Sequence, residues 1–497
     1  MTNLHHDRLY IGGDWVAPAT DARISVISPF TEEELGSTPE GAPADIDAAV
    51  VAARGALDGD WGSTTASERA DVIDRLYALF LERSDDLANL ITAEVGCPLL
   101  FSHFGQVGAT GMVLDYFAKL TRSFEFEEVR PGMMGPALVR HEPVGVRAGI
   151  VRWNVPLFIS MLKLAPALAS GSTMVLKPAP ETPLSAYALA ELCADAGVPD
   201  GVVNIVPAGR ETGQHLVTHP DVDKVSFTGS TAAGRKIGAA CGELLRRVTL
   251  ELGGKSAAIV CDDADLDAIM PELIASSTMN NGQACVAQTR ILATRSRYDE
   301  VVEALTEAVA AIPVGDPADM ETGCGPLIAE RQRDRVEGYL QIGRDEGARI
   351  TTGGGRPDGQ DRGWFVEPTV FADVDNSMRI AQEEIFGPVL AVIPVDDTDD
   401  AIRVANDSDY GLSGTVWTGD VEAGLDIARK VRTGTYTVNG FAMEWGAPFG
   451  GFKDSGVGRE LGPEGLAAYR ESGVTMLNIT PIGDAADIVT KLKDWTA

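Results

Sequence analysis

The sequence predicts an α/β protein built on a parallel, doubly wound sheet, and three observations predict it. Between residues 144 and 260, short runs of β-branched and apolar residues alternate with segments of helical periodicity. Those runs are rich in apolar residues, as strands covered by helices on both faces are. Polar turns follow the runs, where ligands of such sheets gather.

The elements follow in chain order. Arg8-Leu-Tyr-Ile-Gly-Gly-Asp-Trp-Val alternates as a short hairpin does. From Ala44 the apolar positions take helical spacing: Ile46, Val50 and Val51, then Val72, Leu76, Leu79 and Phe80. Residues 124–141, charged and rich in β-formers around Pro131-Gly132, read as an exposed ribbon between larger units. Strands are then expected over 146–152, 173–177, 202–206, 224–228 and 248–252. Helices over 155–170, 183–196, 211–219 and 232–245 separate them.

After those strands come Trp153-Asn154, Lys177-Pro-Ala-Pro-Glu181, Ala208-Gly209, Thr228-Gly-Ser-Thr231 and Glu251-Leu-Gly-Gly-Lys255. Gly229-Ser-Thr-Ala-Ala-Gly234 opens a helix directly after a strand, where amides and the helix N-terminus suit a phosphate. It departs from the G-x-G-x-x-G pattern, and alone it would be an ordinary tight turn. Five polar turns along one sheet edge make a nucleotide site the better reading.

Composition narrows the classes. The 497 residues carry 41 Lys+Arg against 73 Asp+Glu, a net charge of −32. A prior of ~150 residues per domain suggests about three domains. The acidity excludes a generic nucleic-acid binder and argues against docking on anionic membranes. The start has no apolar signal region, and the most apolar stretch, 155–170, is broken by Lys163 and falls short of the ~20 residues that span a bilayer. Cysteines 97, 193, 241, 261, 285 and 324 show no C-x-x-C spacing, so a reducing cytoplasm is expected and one of them is a candidate reactive thiol.

Two motifs fail on spacing. Gly254-Lys255-Ser256 resembles the end of a P-loop, but the required earlier glycine is Thr249. Ser256 lacks the second glycine of a nucleophile elbow, being followed by Ala258 at that place. The six histidines form no metal-like cluster, and no metal is expected.

The thiol is different. A helix starting near Leu266 breaks at Asn281-Gly282, and Gln283-Ala284-Cys285-Val286-Ala287 follows. Small neighbours after such a break leave Cys285 open to a cleft, whereas Cys193 and Cys241 fall inside helices and Cys261 ends a strand.

Glu251-Leu-Gly-Gly-Lys, followed 34 residues later by Gly282-Gln-Ala-Cys285, resembles the NAD(P)-dependent aldehyde dehydrogenase superfamily. Trp153-Asn-Val-Pro156, Lys177-Pro-Ala-Pro, Phe227-Thr-Gly-Ser230, Glu383-Glu-Ile-Phe-Gly-Pro-Val389 and Pro448-Phe-Gly-Gly-Phe-Lys-Asp-Ser-Gly456 carry the same resemblance, collinear from about residue 9 to 477. The resemblance implies a Rossmann-like cofactor domain (1–122 and 143–253), an α/β catalytic domain (254–455) and a small β oligomerisation segment (123–142 and 456–497). It implies a homodimer or homotetramer. The tail after Pro481 resembles a short helix.

The resemblance also implies roles. Cys285 adds to the aldehyde carbon. The Asn154 side-chain amide and the Cys285 N–H receive the oxyanion. Glu251 activates the water that hydrolyses the resulting thioester, which favours a free acid over transfer to coenzyme A. Lys177 is expected to hold adenine-ribose hydroxyls, and Gly229 and Ser230 the pyrophosphate. Glu384 and Phe386 are assigned to the nicotinamide ribose and ring, and Gln332 to the adenosine side. Ile150, Trp153, Pro180, Gly209, Gly213, Phe227 and Leu252 complete the cofactor set. Glu460 resembles a second carboxylate sometimes credited with proton relay.

The sequence departs from the pattern in places. Arg152 stands where proline is usual before Trp-Asn, adding charge near the catalytic turn. Pro180 replaces a glutamate common in NAD-preferring members; with Glu181 adjacent, NAD is expected and NADP is the alternative. Val155, Ile159, Leu162, Ala284, Val286, Met443, Trp445 and Phe449 are expected to line an apolar tunnel, which suits a neutral aliphatic, terpenoid or aromatic aldehyde. Glu444 beside Trp445 leaves a betaine or amino aldehyde as an alternative. A non-catalytic structural member of the family would not need Cys285, Glu251 and Asn154 together.

Overall fold

Five of the expected runs form Val146–Ile150, Thr173–Lys177, Val203–Ile205, Lys224–Thr228 and Arg247–Glu251 in the computed structural model, which describes residues 4–133 and 135–476, and all of their residues except Arg247 and Val248 are buried. All five lie parallel. Val146–Ile150 sits in the middle: the chain moves outward through Thr173–Lys177 to Val203–Ile205, then crosses back to Lys224–Thr228 and Arg247–Glu251. That reversal is a topological switch point beside Ile150, and such points open a crevice at the strands' carboxyl ends. The hairpin Leu9–Ile11 and Asp14–Val16 closes one edge antiparallel, with Tyr10 opposite Ile205.

Pro156–Ser170 packs beneath the strand ends. Proline at its first turn presets the helical φ, and Gly171 at φ +83° ends it. Every one of its residues is buried, so it is apolar all round instead of striped, and Lys163 is carried into the interior.

A second sheet holds the strands Ala257–Val260, Arg290–Thr294, Thr369–Ala372, Val389–Val395, Gly414–Trp417 and Thr437–Val438 in parallel, with Arg349–Thr352 antiparallel at one edge. Glu127–Arg130, Ala137–Pro143 and Arg470–Met476 make the expected ribbon, three antiparallel strands.

One expectation needs correction. The segment from 456 was assigned wholly to the ribbon, yet its first strand, Gly456–Val457, pairs with Leu250 and Glu251 at the edge of the cofactor-side sheet. Without it, Arg247–Glu251 would be an edge strand. Residues 477–497, the tail after Pro481 among them, lie outside the described residues. Among the described residues no helix is long and apolar enough to cross a membrane.

Candidate functional site

The nucleophile candidate is presented by a strained turn. The helix Leu266–Thr278 gives way to Met279–Gly282, in which Asn280 (φ 54°), Asn281 (φ 59°) and Gly282 (φ 71°) are left-handed in succession. Asparagine tolerates this region better than most residues, and here its amides hold it there. Asn281 Nδ2 donates to the carbonyls of Gly96 and Pro326, both at 2.9 Å, and its Oδ1 accepts from the Gly325 amide at 2.7 Å. A methyl group at Gly282 would lie 2.1 Å from the Gly387 carbonyl carbon, so the Cys285 loop is pressed against the loop that carries Phe386.

Asn154, just past the Val146–Ile150 strand, is buried beside this turn. Its Nδ2 donates to the Gln283 carbonyl at 2.9 Å, and its own carbonyl accepts from Asn280 Nδ2 at 2.8 Å. An amide nitrogen has two N–H groups, so one remains for an incoming oxygen. A methyl group at Gly254 would sit 2.1 Å from the Cys285 carbonyl oxygen, which places the Glu251-Leu-Gly-Gly turn against the thiol's backbone.

Glu251 ends its strand with both carboxylate oxygens buried and without a hydrogen-bond partner among the described residues. Gly450 leaves room for it: a methyl group there would lie 2.7 Å from Glu251 Oε1. Burial, and then the nearby Glu460, push its pKa well above the usual carboxylate value against the pull of Lys163 and Arg459. A buried, unpartnered carboxylate of raised pKa is what a general base requires. Glu460 is engaged differently, with Lys163 Nζ at 2.8 Å from its Oε1 and 2.7 Å from Thr228 Oγ1.

Cys285 alone among the six cysteines is not fully buried. Burial, Glu384 and Glu251 push its thiol up to about 12, with Arg152 opposing.

The switch-point crevice has a volume of about 480 Å³ and is lined by Ile150, Trp153, Lys177, Pro180, Gly209, Gly213, Phe227, Gly229 and Ser230, as expected. Val151, Arg152, Ala179 and Arg210, outside the expected set, line it too. Small residues keep it open: a methyl group at Gly229 would meet the Phe227 ring at 2.3 Å, and one at Gly213 would meet Lys177 at 3.2 Å. Ser230 caps the helix Thr231–Glu243, accepting from the Ala233 amide at 3.3 Å, so the helix N-terminus faces the crevice. Lys177 donates to the carbonyls of Pro178 (2.9 Å) and Ala208 (2.7 Å), which leaves a third N–H, and burial lowers its pKa to about 8. Apolar walls, a buried lysine and a helix N-terminus fit a dinucleotide.

Glu384 accepts from the Gly254 amide at 3.1 Å, and the Phe386 ring meets Trp153 edge-on at 5.4 Å. Phe386 is left-handed at φ 65°, a strain typical of functional turns. Gln332 and Leu252, like Glu384 and Phe386, do not line this crevice. Gln332 is no wall of the crevice: it is buried with its amide nitrogen 2.7 Å from the Phe386 carbonyl, and it supports that strained turn. Leu252 lies behind the crevice, where a methyl group at Gly234 would strike its side chain at 2.4 Å. Glu181, beside Pro180, is held by Arg331.

Val155, Ile159, Leu162, Ala284, Val286, Met443, Trp445 and Phe449 belong to one apolar cluster with Cys285. The sequence reading missed Phe158, whose ring lies 6.1 Å from Trp445 in an edge contact. Its place one helical turn before Leu162 was the available signal. Glu444 is exposed and accepts from the Gly446 amide at 3.1 Å, closing its own turn.

The fold also makes a cluster that the sequence reading did not expect. Asp47, His215 and His219 bring possible metal donors within 4.8 Å of one another. His219 Nδ1 accepts the Asp221 amide at 3.1 Å, which puts the proton on Nε2, and Nε2 is the atom facing Asp47 at 3.4 Å. That tautomer offers Asp47 a proton and a metal no lone pair.

Known proteins resemble this chain over nearly its whole length. A family model described as "Aldehyde dehydrogenase family" matches residues 15–474. Geranial dehydrogenase of Castellaniella defragrans is 49% identical over 469 residues, 94% of this chain and 98% of that protein. The crystal structure of a Mycobacterium tuberculosis aldehyde dehydrogenase complexed with NAD+ is 52% identical, covers 97% of this chain and 100% of its own, and superposes with a TM-score of 0.95. A mutant aldehyde dehydrogenase C from Pseudomonas syringae, in complex with NAD+ and octanal, is 39% identical with a TM-score of 0.93, over 96% of this chain and 98% of its own.

Proposed function

The chain belongs to the aldehyde dehydrogenase family, and from that premise we propose that it oxidises a neutral hydrophobic aldehyde to the carboxylic acid with NAD+. The observation that carries the proposal is the convergence of a cysteine that is not fully buried, a spare Asn154 N–H and the unpartnered Glu251 carboxylate beside a dinucleotide-shaped crevice. Lys177, Gly229 and Ser230 would hold the ribose and pyrophosphate, and Glu384 and Phe386 the nicotinamide end. When bound, the nicotinamide supplies the hydride acceptor.

The chain's own residues do the rest. The Cys285 thiolate adds to the carbonyl carbon, and the resulting oxyanion is received by the Asn154 side chain and the Cys285 amide. Addition makes the carbon tetrahedral, from which hydride can leave, and the carbon then remains on Cys285 as a thioester. Glu251 takes a proton from water, the hydroxide adds to the thioester, and the thiolate departs with release of the acid. The thiol's high pKa sets the sign of the pH dependence: only the thiolate reacts, so acylation accelerates as pH rises through 7 to 9, by up to about tenfold per unit. Single-turnover NADH formation across that range measures it.

Apolar walls completed by Phe158 and Trp445 favour a terpenoid, aliphatic or aromatic substrate, in keeping with the geranial and octanal named for two relatives. In an aldehyde panel followed by NADH absorbance, citral, octanal and benzaldehyde should exceed betaine aldehyde in kcat/KM by at least about tenfold. A preference for betaine aldehyde would instead place a cation near Glu444. NAD should be preferred over NADP, and equal efficiencies with the two would refute that choice.

Gly282→Ala is expected to lower kcat/KM by about 10², because separating the Cys285 and Phe386 loops misplaces the thiol against the cofactor end. Steady-state kinetics on a variant whose thermal melt shows it folded would test this. Assignment of 1–122 with 143–253 to a cofactor domain and 254–455 to a catalytic domain, and residence in the cytoplasm, belong to the same proposal. So does a homodimer or homotetramer formed through the ribbon, whose edge strand Arg470–Met476 exposes Val474 and Met476.

A further inference from the structure

Arg152 is the residue of the catalytic turn that the family pattern does not explain, and its surroundings are specific. It stands two residues past the Val146–Ile150 strand, next to Trp153-Asn154, with its side chain only 14% exposed. Its guanidinium carbon lies 3.6 Å from the centre of the Phe386 ring and 5.4 Å from that of Trp153. One guanidinium nitrogen is 3.8 Å from Glu384 Oε2, a charge contact and not a hydrogen bond. The other oxygen of Glu384 holds the Gly254 amide, and Gly254 abuts the Cys285 carbonyl.

We propose that Arg152 is a positioning residue for the Cys285 thiolate and for the nicotinamide end of the crevice, its guanidinium fixed between Glu384 and the Phe386 ring. The proposal rests on Cys285 being the nucleophile. Burial, Glu384 and Glu251 oppose ionisation of Cys285, and Arg152 favours it. Glu384 and Cys285 in turn favour the charged form of Arg152, against burial, Arg335 and Arg331. The two other arginines are engaged elsewhere: Arg335 on the carbonyls of Glu384 and Ile385, Arg331 on Glu181. Without Arg152 the thiolate would lose the one cation set against Glu384 and would keep only its backbone hydrogen bond. A planar guanidinium stacked on a ring is held in one place, which a proline at this position could not supply and a lysine would supply only in charge.

The test uses alkylation of the nucleotide-free enzyme, read at Cys285 by peptide mass spectrometry. Below the thiol's pKa, alkylation tracks the thiolate fraction, so a one-unit rise appears as about tenfold slower reaction. Arg152→Met should slow neutral iodoacetamide about tenfold between pH 7 and 9. It should slow anionic iodoacetate further, lowering the ratio of the two rates. Arg152→Lys should restore most of that ratio, and Arg152→Gln should behave as Arg152→Met does. An unchanged rate and ratio in the Met and Gln variants would overturn the proposal, as would equal loss in the Lys variant, since then charge is not the cause. Turnover of Cys285→Ala, measured in parallel, separates the two readings: activity there sinks the nucleophile assignment, whereas loss there with unaltered Arg152→Met alkylation sinks only the role of Arg152.

Discussion

Cys285→Ala is expected to lower aldehyde-dependent NADH formation by about 10⁴-fold or more while leaving dinucleotide binding intact. Loss of a covalent nucleophile is felt on this scale because the steps on either side of the adduct have no alternative route. No other cysteine can substitute. Cys97, Cys193, Cys241, Cys261 and Cys324 are all buried. The crevice walls come from the Val146–Ile150, Thr173–Lys177 and Lys224–Thr228 strand ends and not from the cysteine loop, so nucleotide affinity should stay within about threefold. Fluorescence titration with NADH measures it, and retained turnover would refute the assignment.

Glu251→Gln should separate the two halves of the reaction. Addition and hydride loss need Cys285 and Asn154; hydrolysis needs a base. The variant is therefore expected to release about one equivalent of NADH per site in a burst, followed by turnover slowed about 10²- to 10⁴-fold. Normal turnover without a burst would remove Glu251 from the base role. Stability gives an independent check with a definite sign. The folded-state pKa of Glu251 lies above its unfolded value of 4.5, so between those two values the native state binds more protons than the unfolded chain. Stability contributed by this group is present below 4.5 and is lost as pH rises towards the folded pKa. Glutamine carries no such cost, so Glu251→Gln should melt higher than the parent at pH 8, an advantage that shrinks towards pH 4.5.

How much of this was legible in the sequence depends on whether a residue's role is local. The parallel strands were readable because burial on both faces keeps their runs rich in apolar residues, as in Met174-Val-Leu176 of Thr173–Lys177, and the polar turns after them marked the carboxyl edge. Cys285 was readable because Asn281-Gly282 marks the end of helical structure, although the helix already stops at Thr278 and the left-handed conformation of three successive residues was not legible. Roles set by distant packing were hidden. Gln332 meets the Phe386 carbonyl across 54 residues, and Gly456 meets Glu251 across a sheet edge. His215 and His219 are one helical turn apart, yet what makes them a cluster is Asp47, 168 residues before His215. Phe158 was within reach, since it shares a helix with Ile159 and Leu162, but only the fold places its ring on Trp445. Arg152 was visible as an oddity, and its partners Glu384 and Phe386 became visible only in three dimensions.

The central claim is that one thiol carries the substrate while one carboxylate releases it. Its most direct measurement is mass spectrometry of Glu251→Gln quenched after the burst with octanal and NAD+. The account predicts an octanoyl group in thioester linkage on the peptide containing Cys285, near one equivalent per chain and equal to the NADH released. A burst with no acyl group on Cys285, or with the acyl group on another residue, would contradict it.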